Sequence, residues 1–189
     1  MIRKFAYCFF LIASSAVMAQ GQPNIVVIWG DDIGYGNISA YNQGMMGCWT
    51  PNIDRIAREG ALFTDAYGEH SSTAGRAAFI TGQRPFRTGL TDVALPGTDV
   101  GLQDEDPTLA EYLKTKEYMT AQYGQSHLGD RDDHLPSNHG FDVFFGNLFP
   151  LNGETEPAKT DRPKKLQLNE RRRPRGVIKS FSDGRIQDT

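Results

Sequence analysis

The chain of 189 residues has only two cysteines, Cys8 and Cys48. Cys8 falls in an N-terminal segment that reads as cleavable, so no internal disulfide framework can support the fold. Cys48, in "GMMGCWTP", has no metal-type neighbour and is expected as a half-buried structural thiol rather than a nucleophile. Basic excess is also lacking. The formal net charge is -3, which argues against a general phosphate-binding surface and so against nucleic acid as a partner. Long apolar runs are missing beyond Phe5 to Ala16, which is too short for a comfortable membrane span. Three common motifs fail as well. Gly34 and Gly36 have Ser39 where a dinucleotide fingerprint needs its third glycine. Neither Ser71 nor Ser72 sits in the G-x-S-x-G of a nucleophile elbow. "DRDDHLPSN" breaks the calcium-loop pattern at His134.

What remains is an ordinary globular composition, 39% hydrophobic and 23% charged, about one domain in length. Arg3 and Lys4 precede the apolar run, and Val17 and Ala19 offer small residues for cleavage, so residues 1–19 read as a signal peptide and the mature chain is expected near Gln20. That order implies a periplasmic or secreted protein with no membrane span after cleavage. Residues 20–189 then form the working domain. Within it, residues 151–175 are rich in Pro, Glu, Lys and Arg, including "RRRPR" at Arg171 to Arg175. With no aromatics between the charges, a solvated loop or insertion is expected there. The closing "GVIKSFSDGRIQDT" is strand-like and stops without a cap or charged tail, which suggests a fold broken off at its C-terminus.

From Pro23 to Gly146 strand-like and helix-like segments alternate, as in an α/β domain. "NIVVIW", Asn24 to Trp29, is a continuous apolar run expected as a strand buried on both faces of a parallel sheet. Thr50 is expected to cap a helix with Pro51 in its first turn, Ile53, Ile56 and Ala57 on one face, and Gly60 at its end. Ala61 to Tyr67 reads as a second strand. A helical run from Arg76 to Ile80 is closed by Thr81-Gly82. Asp106 and Pro107 are expected to open a helix carrying Leu109, Tyr112 and Leu113, and Tyr118 to Tyr123 to return as a strand, with Lys116 and Glu117 where a glycine is usual.

Ligands of open parallel sheets bind where loops leave the carboxyl ends of strands. Asp31 and Asp32 follow the first expected strand, Ser71 and Ser72 the second, and Ser126 and His127 the third. Two carboxylates, a hydroxyl and an imidazole are thus expected at one edge. The carboxylate pair reads either as a hard-cation site or as a turn at Asp31 with Asp32 capping "IGYG".

The runs "PNIVVIWGDDIGYGN", "TPNIDRIAREGALFTDAY", "STAGRAAFITGQRPFRTGL", "HLGD" and "HGFDVFFG" resemble the N-terminal part of a formylglycine-dependent sulfatase of the alkaline-phosphatase-like superfamily. The sulfatase signature is Cys or Ser, any residue, Pro or Ala, any residue, Arg, four residues, then Thr-Gly. Ser72, Ala74, Arg76, Thr81 and Gly82 meet it at every spacing. The resemblance implies an alkaline-phosphatase-like α/β sandwich, a central mostly parallel sheet flanked by helices. It also implies cleavage of sulfate esters.

In such enzymes a maturation enzyme oxidises the Cys or Ser to formylglycine. One hydroxyl of the aldehyde hydrate attacks sulfur, and the other lets the sulfated intermediate collapse with loss of sulfate, where a plain serine would stay esterified. Asp31 and Asp32 would ligate Ca²⁺ or another divalent cation, with modified Ser72 as a further ligand. Arg76 would hold the formylglycine and His127 would assist proton transfer. The family's lysine in Gly-Lys-x-His is Gln125 here. Gln125 would face the substrate without a cation's charge, so lower turnover is expected than with lysine. Sulfated small molecules or glycans are the implied substrates. The alternatives are an inactive sulfatase-like fragment, or a phosphate or phosphonate ester hydrolase of the same superfamily.

Overall fold

The computed structural model describes residues 21–150 and 175–188. The segment read as a signal peptide, and all of the basic loop except Arg175, lie outside them. The chain divides into two compact units, Met1–Ala61 and Leu62–Thr189.

In the first unit, helix α1 (Ser39–Asn42) and helix α2 (Pro51–Glu59) are joined by a polar knot. Ser39 Oγ donates to Asp54 Oδ2 at 2.6 Å and Thr50 Oγ1 donates to Asp54 Oδ1 at 2.9 Å. These donors, Ser39 first, hold the Asp54 carboxyl below its ordinary value. Thr50 does precede α2, with Pro51 in its first turn and Gly60 after its end. Its hydroxyl, however, donates to the Asp54 side chain and accepts the Ser39 N–H at 3.0 Å, and it caps no N–H of α2 itself. Two further expectations fail in this unit. Residues 24–29 form no strand, and Val26 and Ile28 are more than 80% exposed. A strand needs a ladder partner, and among the described residues no strand pairs with this run. Cys48 is exposed, not half-buried, because it lies on an irregular turn that no helix or strand covers.

The second unit holds helices α3 (Ser72–Thr81), α4 (Pro85–Thr88) and α5 (Leu109–Lys114). They accompany a four-stranded sheet of β1 (Ala121–Tyr123), β2 (Val143–Asn147), β3 (Val177–Phe181) and β4 (Ile186–Asp188), in that order. The fold is α/β with a mixed sheet. β1 and β2 are parallel, with Gln122 opposite Phe144, whereas β2–β3 and β3–β4 are antiparallel. The closing hairpin forms at "SDG", where Asp183 accepts from the Arg185 N–H and Gly184 takes a positive φ. The core lies beneath the sheet. Leu135, Phe144, Leu148 and Ile178 are each 0% exposed, and each contributes about 1.5–3 kcal/mol by burial. A second cluster of Ala77, Leu90, Leu102 and Leu128 packs under α3.

Residues 61–67 form no strand and are exposed, again for want of a ladder. Helix α5 starts later than Asp106-Pro107. Thr108 and Glu111 form a reciprocal capping box, with Glu111 N–H donating to Thr108 Oγ1 at 3.1 Å and Thr108 N–H to Glu111 Oε2 at 2.8 Å. Ala110 is its buried residue, while Leu109 and Tyr112 stay exposed. Glu117 supplies the left-handed turn in place of glycine, at φ 63°, and the returning strand begins only at Ala121. Arg175 is not simply solvated. Its guanidinium reaches Asp132 at 2.7 Å and Asp188 at 3.0 Å. Among the described residues no helix is long and apolar enough to cross a membrane.

Candidate active site

The serine pair divides its labour by position. Ser71 is the N-cap of α3, its Oγ accepting the Ala74 N–H at 3.1 Å. That leaves Ser72, the first helical residue, to aim its hydroxyl elsewhere. At the other end, Thr81 Oγ1 donates to the Ala77 carbonyl and Gly82 takes the left-handed cap at φ 66°. The signature's serine and its Thr-Gly therefore bracket one helix.

His127 arrives from the sheet. Past β1 the parallel pairing continues through main-chain bonds from Ser126 N–H to Asn147 and from His127 N–H to Leu148, each 2.9 Å. His127 is 2% exposed and has φ 57°, a conformation that costs a non-glycine residue free energy and clusters at functional sites. Its ring stands edge-on to Phe149, centroids 5.5 Å apart. Nδ1 lies 2.5 Å from Ser72 Oγ and 3.0 Å from Gln125 Nε2, and Nε2 lies 3.2 Å from the Ala94 carbonyl oxygen. Arg76, one turn along α3 from Ser72, donates from Nη1 to the main-chain carbonyl of Gln125 at 2.8 Å.

Four of the expected residues, Ser72, Arg76, Gln125 and His127, thus share one place in the second unit. The carriers differ from expectation, since Ser72 follows an irregular segment rather than a strand. Two groups without any sequence signal complete the arrangement. The Ala94 carbonyl bonds His127, and the Ala94 N–H donates to Thr73 Oγ1 at 3.1 Å. A main-chain acceptor leaves no trace in residue type, and Thr73 fills a signature position open to any residue.

Asp31 and Asp32 belong to the first unit. Both are exposed at a bend, and Asp32 has φ 55°. Asp32 does not cap the following 3-10 turn, which starts at Gly34 with Asn37 Oδ1 accepting the Gly34 N–H at 2.8 Å. Carboxylate oxygens are the donors a hard cation takes, so the pair fits Ca²⁺ in kind. Among the described residues, no three His, Cys, Asp or Glu side chains are grouped closely enough to hold a metal ion. His134 and His139 are buried structural residues. The ring of His134 packs on Gly101 and Gly129, and His139 Nε2 bonds the Asp133 carbonyl at 2.9 Å. His70 is exposed.

Comparison with known proteins bears on the family. The Sulfatase family model matches residues 23–170. Arylsulfatase H of Homo sapiens is 37% identical over 155 residues, covering 75% of this chain and 27% of that protein. Arylsulfatase A of Homo sapiens is 40% identical over 141 residues, covering 72% and 27%. Among solved structures, the PsFucS1 sulfatase from Pseudoalteromonas sp. matches with a TM-score of 0.71 at 31% identity, covering 84% of this chain and 34% of that one. The chain spans about a quarter of the length of the curated relatives it matches. The signature on α3, its pairing with His127 and a family match over most of the sequence have one common reading: the chain belongs to the sulfatase family.

Proposed function

We propose that this chain carries the nucleophile half of a sulfate-ester hydrolase of arylsulfatase type, with Ser72 converted to formylglycine by a maturation enzyme. The observation that carries the reading is the Ser72 Oγ to His127 Nδ1 contact of 2.5 Å at the start of α3. In the unmodified chain that oxygen stands in for a hydroxyl of the formylglycine hydrate. Formylglycine supplies paired hydroxyls, one to attack sulfur and one to release sulfate afterwards.

This chain's own residues do the rest. His127 takes a proton at Nδ1 from the hydroxyl at position 72, held at hydrogen-bond range as a base must be. The first turn of α3, ten residues long, turns main-chain N–H groups and its positive dipole end towards anionic charge. Arg76 holds the Gln125 main chain, and through it the short segment that bears His127. Asp31 and Asp32 would hold the divalent cation, which would offset sulfate charge. Sulfated small molecules or glycans are the substrates this chemistry fits, and residues 1–19 suit export to the periplasm or the outside.

Two measurements test the reading. Mass spectrometry of the Ser72 peptide should find the loss of two hydrogens that oxidation of the hydroxymethyl group to an aldehyde requires. A peptide that keeps the mass of serine removes the formylglycine route. Turnover of an aryl sulfate in preference to an aryl phosphate should follow modification, and the reverse preference would assign the chain to phosphate esters.

A further inference from the structure

The hydrogen-bond partners of His127 favour one tautomer. The Ala94 carbonyl can only accept, so His127 Nε2, 3.2 Å away, must carry the hydrogen. In a neutral imidazole Nδ1 is then the bare acceptor, and it is Nδ1 that faces the Gln125 amide nitrogen, a donor, and the Ser72 hydroxyl, which can donate to it. The opposite tautomer would set a lone pair against the carbonyl and an N–H against the Gln125 NH₂, with only the Ser72 hydroxyl able to accept.

Position 94 has no regular structure to hold it, since it lies in an irregular segment between α4 and α5. It is nevertheless 4% exposed, and its N–H is bound by the hydroxyl of Thr73, itself 0% exposed. Thr73 is the chain neighbour of Ser72. The contacts therefore close a ring, from Ser72 along the chain to Thr73, by hydrogen bond to the Ala94 N–H, across the main chain of that residue to its carbonyl and His127, and back to Ser72. One turn of α3 presents the reactive position and, from its other side, orients the base that serves it.

We propose that Thr73 is a positioning residue. Its hydroxyl anchors Ala94 so that the Ala94 carbonyl locks His127 as the Nε2–H tautomer, with Nδ1 ready to receive the proton from position 72. The catalytic consequence rests on the sulfatase reading, whereas the tautomer lock does not.

The test is heteronuclear NMR of the full chain labelled with ¹⁵N in its histidines, at a pH where imidazole is neutral. His127 is assigned by the signals that disappear in His127→Gln. The expected results are an Nε2–H pattern in the parent, a mixture of both tautomers in Thr73→Val, and the parent pattern restored in Thr73→Ser. A parent with hydrogen on Nδ1, or a Thr73→Val chain with an unchanged pattern, overturns the proposal. Should Thr73→Val not fold, the parent decides. The Ala94 amide must then be protected from hydrogen exchange and the tautomer must be Nε2–H, and failure of either overturns the proposal. In formylglycine-bearing protein, Thr73→Val should lower kcat for an aryl sulfate about tenfold, as loss of a group that orients a working histidine does, with KM little changed. If no form turns over sulfate but the tautomers behave as stated, the sulfatase reading fails and the lock stands.

Discussion

Arg76 donates to the main-chain oxygen of Gln125 at 2.8 Å, across 49 residues of sequence. This charge-assisted bond ties α3 to the segment that leaves β1, so the signature arginine acts on the site through main-chain placement. Arg76→Met should cost about 1–2 kcal/mol in urea unfolding, with an unchanged slope. Gln125→Ala keeps the carbonyl and should cost less than about 0.5 kcal/mol. A methionine variant as stable as the parent would show that the bond holds nothing.

Gln125 also bears on rate. Its amide nitrogen, 3.0 Å from His127 Nδ1, directs a donor at the lone pair that the Ser72 hydroxyl needs. A neutral amide neither neutralises sulfate oxygens nor favours charge developing in the transition state. In formylglycine-bearing protein, Gln125→Lys should raise aryl sulfate turnover on the order of tenfold. No gain in rate would sink this role for position 125.

The end of α3 is legible in the chain, because Thr81-Gly82 is a local signal that local geometry obeys, whereas the helix starts at Ser72, four residues before the expected Arg76, since Ser71 caps it there. The bounds of α2 are legible in the same way, from Thr50-Pro51 at its start and Gly60 after its end. Helix α5 is legible in kind but displaced, since Asp106-Pro107 carries a start signal while the capping box of Thr108 and Glu111 sets the first turn. The strands expected at residues 24–29 and 61–67 fail for a different reason. Periodicity and β-branching report a side chain's preference for burial, and a strand also needs a partner from elsewhere in the chain. His127 is marked by its motif, but its placement depends on the distant Leu148, and its Nε2 meets a carbonyl at Ala94 that no residue type reveals.

Acid should weaken the fold through His134. Burial, ahead of the opposing pull of Asp133, pushes its imidazole below the ordinary value of 6.5. Above that value the ring is neutral in both folded and unfolded chains. Below it the unfolded chain takes up the proton first, so the native state is penalised from about pH 6.5 downward until the folded ring also titrates. The Asp142 carboxyl, held below its ordinary 3.8 chiefly by the Lys114 ammonium, acts in a lower window. Its stabilisation is present above that value and is lost as pH falls through the folded pKa. Melting temperatures between pH 7 and pH 5 should therefore fall for the parent and fall less for His134→Gln. Parallel curves would place the sensitivity elsewhere.

Gly146 is where the sheet can be made to disturb the site without touching it. A Cβ built there would overlap the Gly124 carbonyl oxygen, while the Gly124 N–H donates to Phe145 at 2.9 Å on the same stretch of β2. Main chain cannot swing aside as a flexible side chain would, so the added methyl must push β1 and β2 apart. Gly146→Ala should cost about 2–4 kcal/mol. The bonds that seat Ser126 and His127 on Asn147 and Leu148 lie immediately beyond, so the damage should spread towards the imidazole. Hydrogen exchange at the Ser126 and His127 amides should quicken by more than it does at amides of the closing hairpin, such as Gly184. Uniform quickening would mean global destabilisation alone, and would separate the close approach of Gly146 from the delivery of His127.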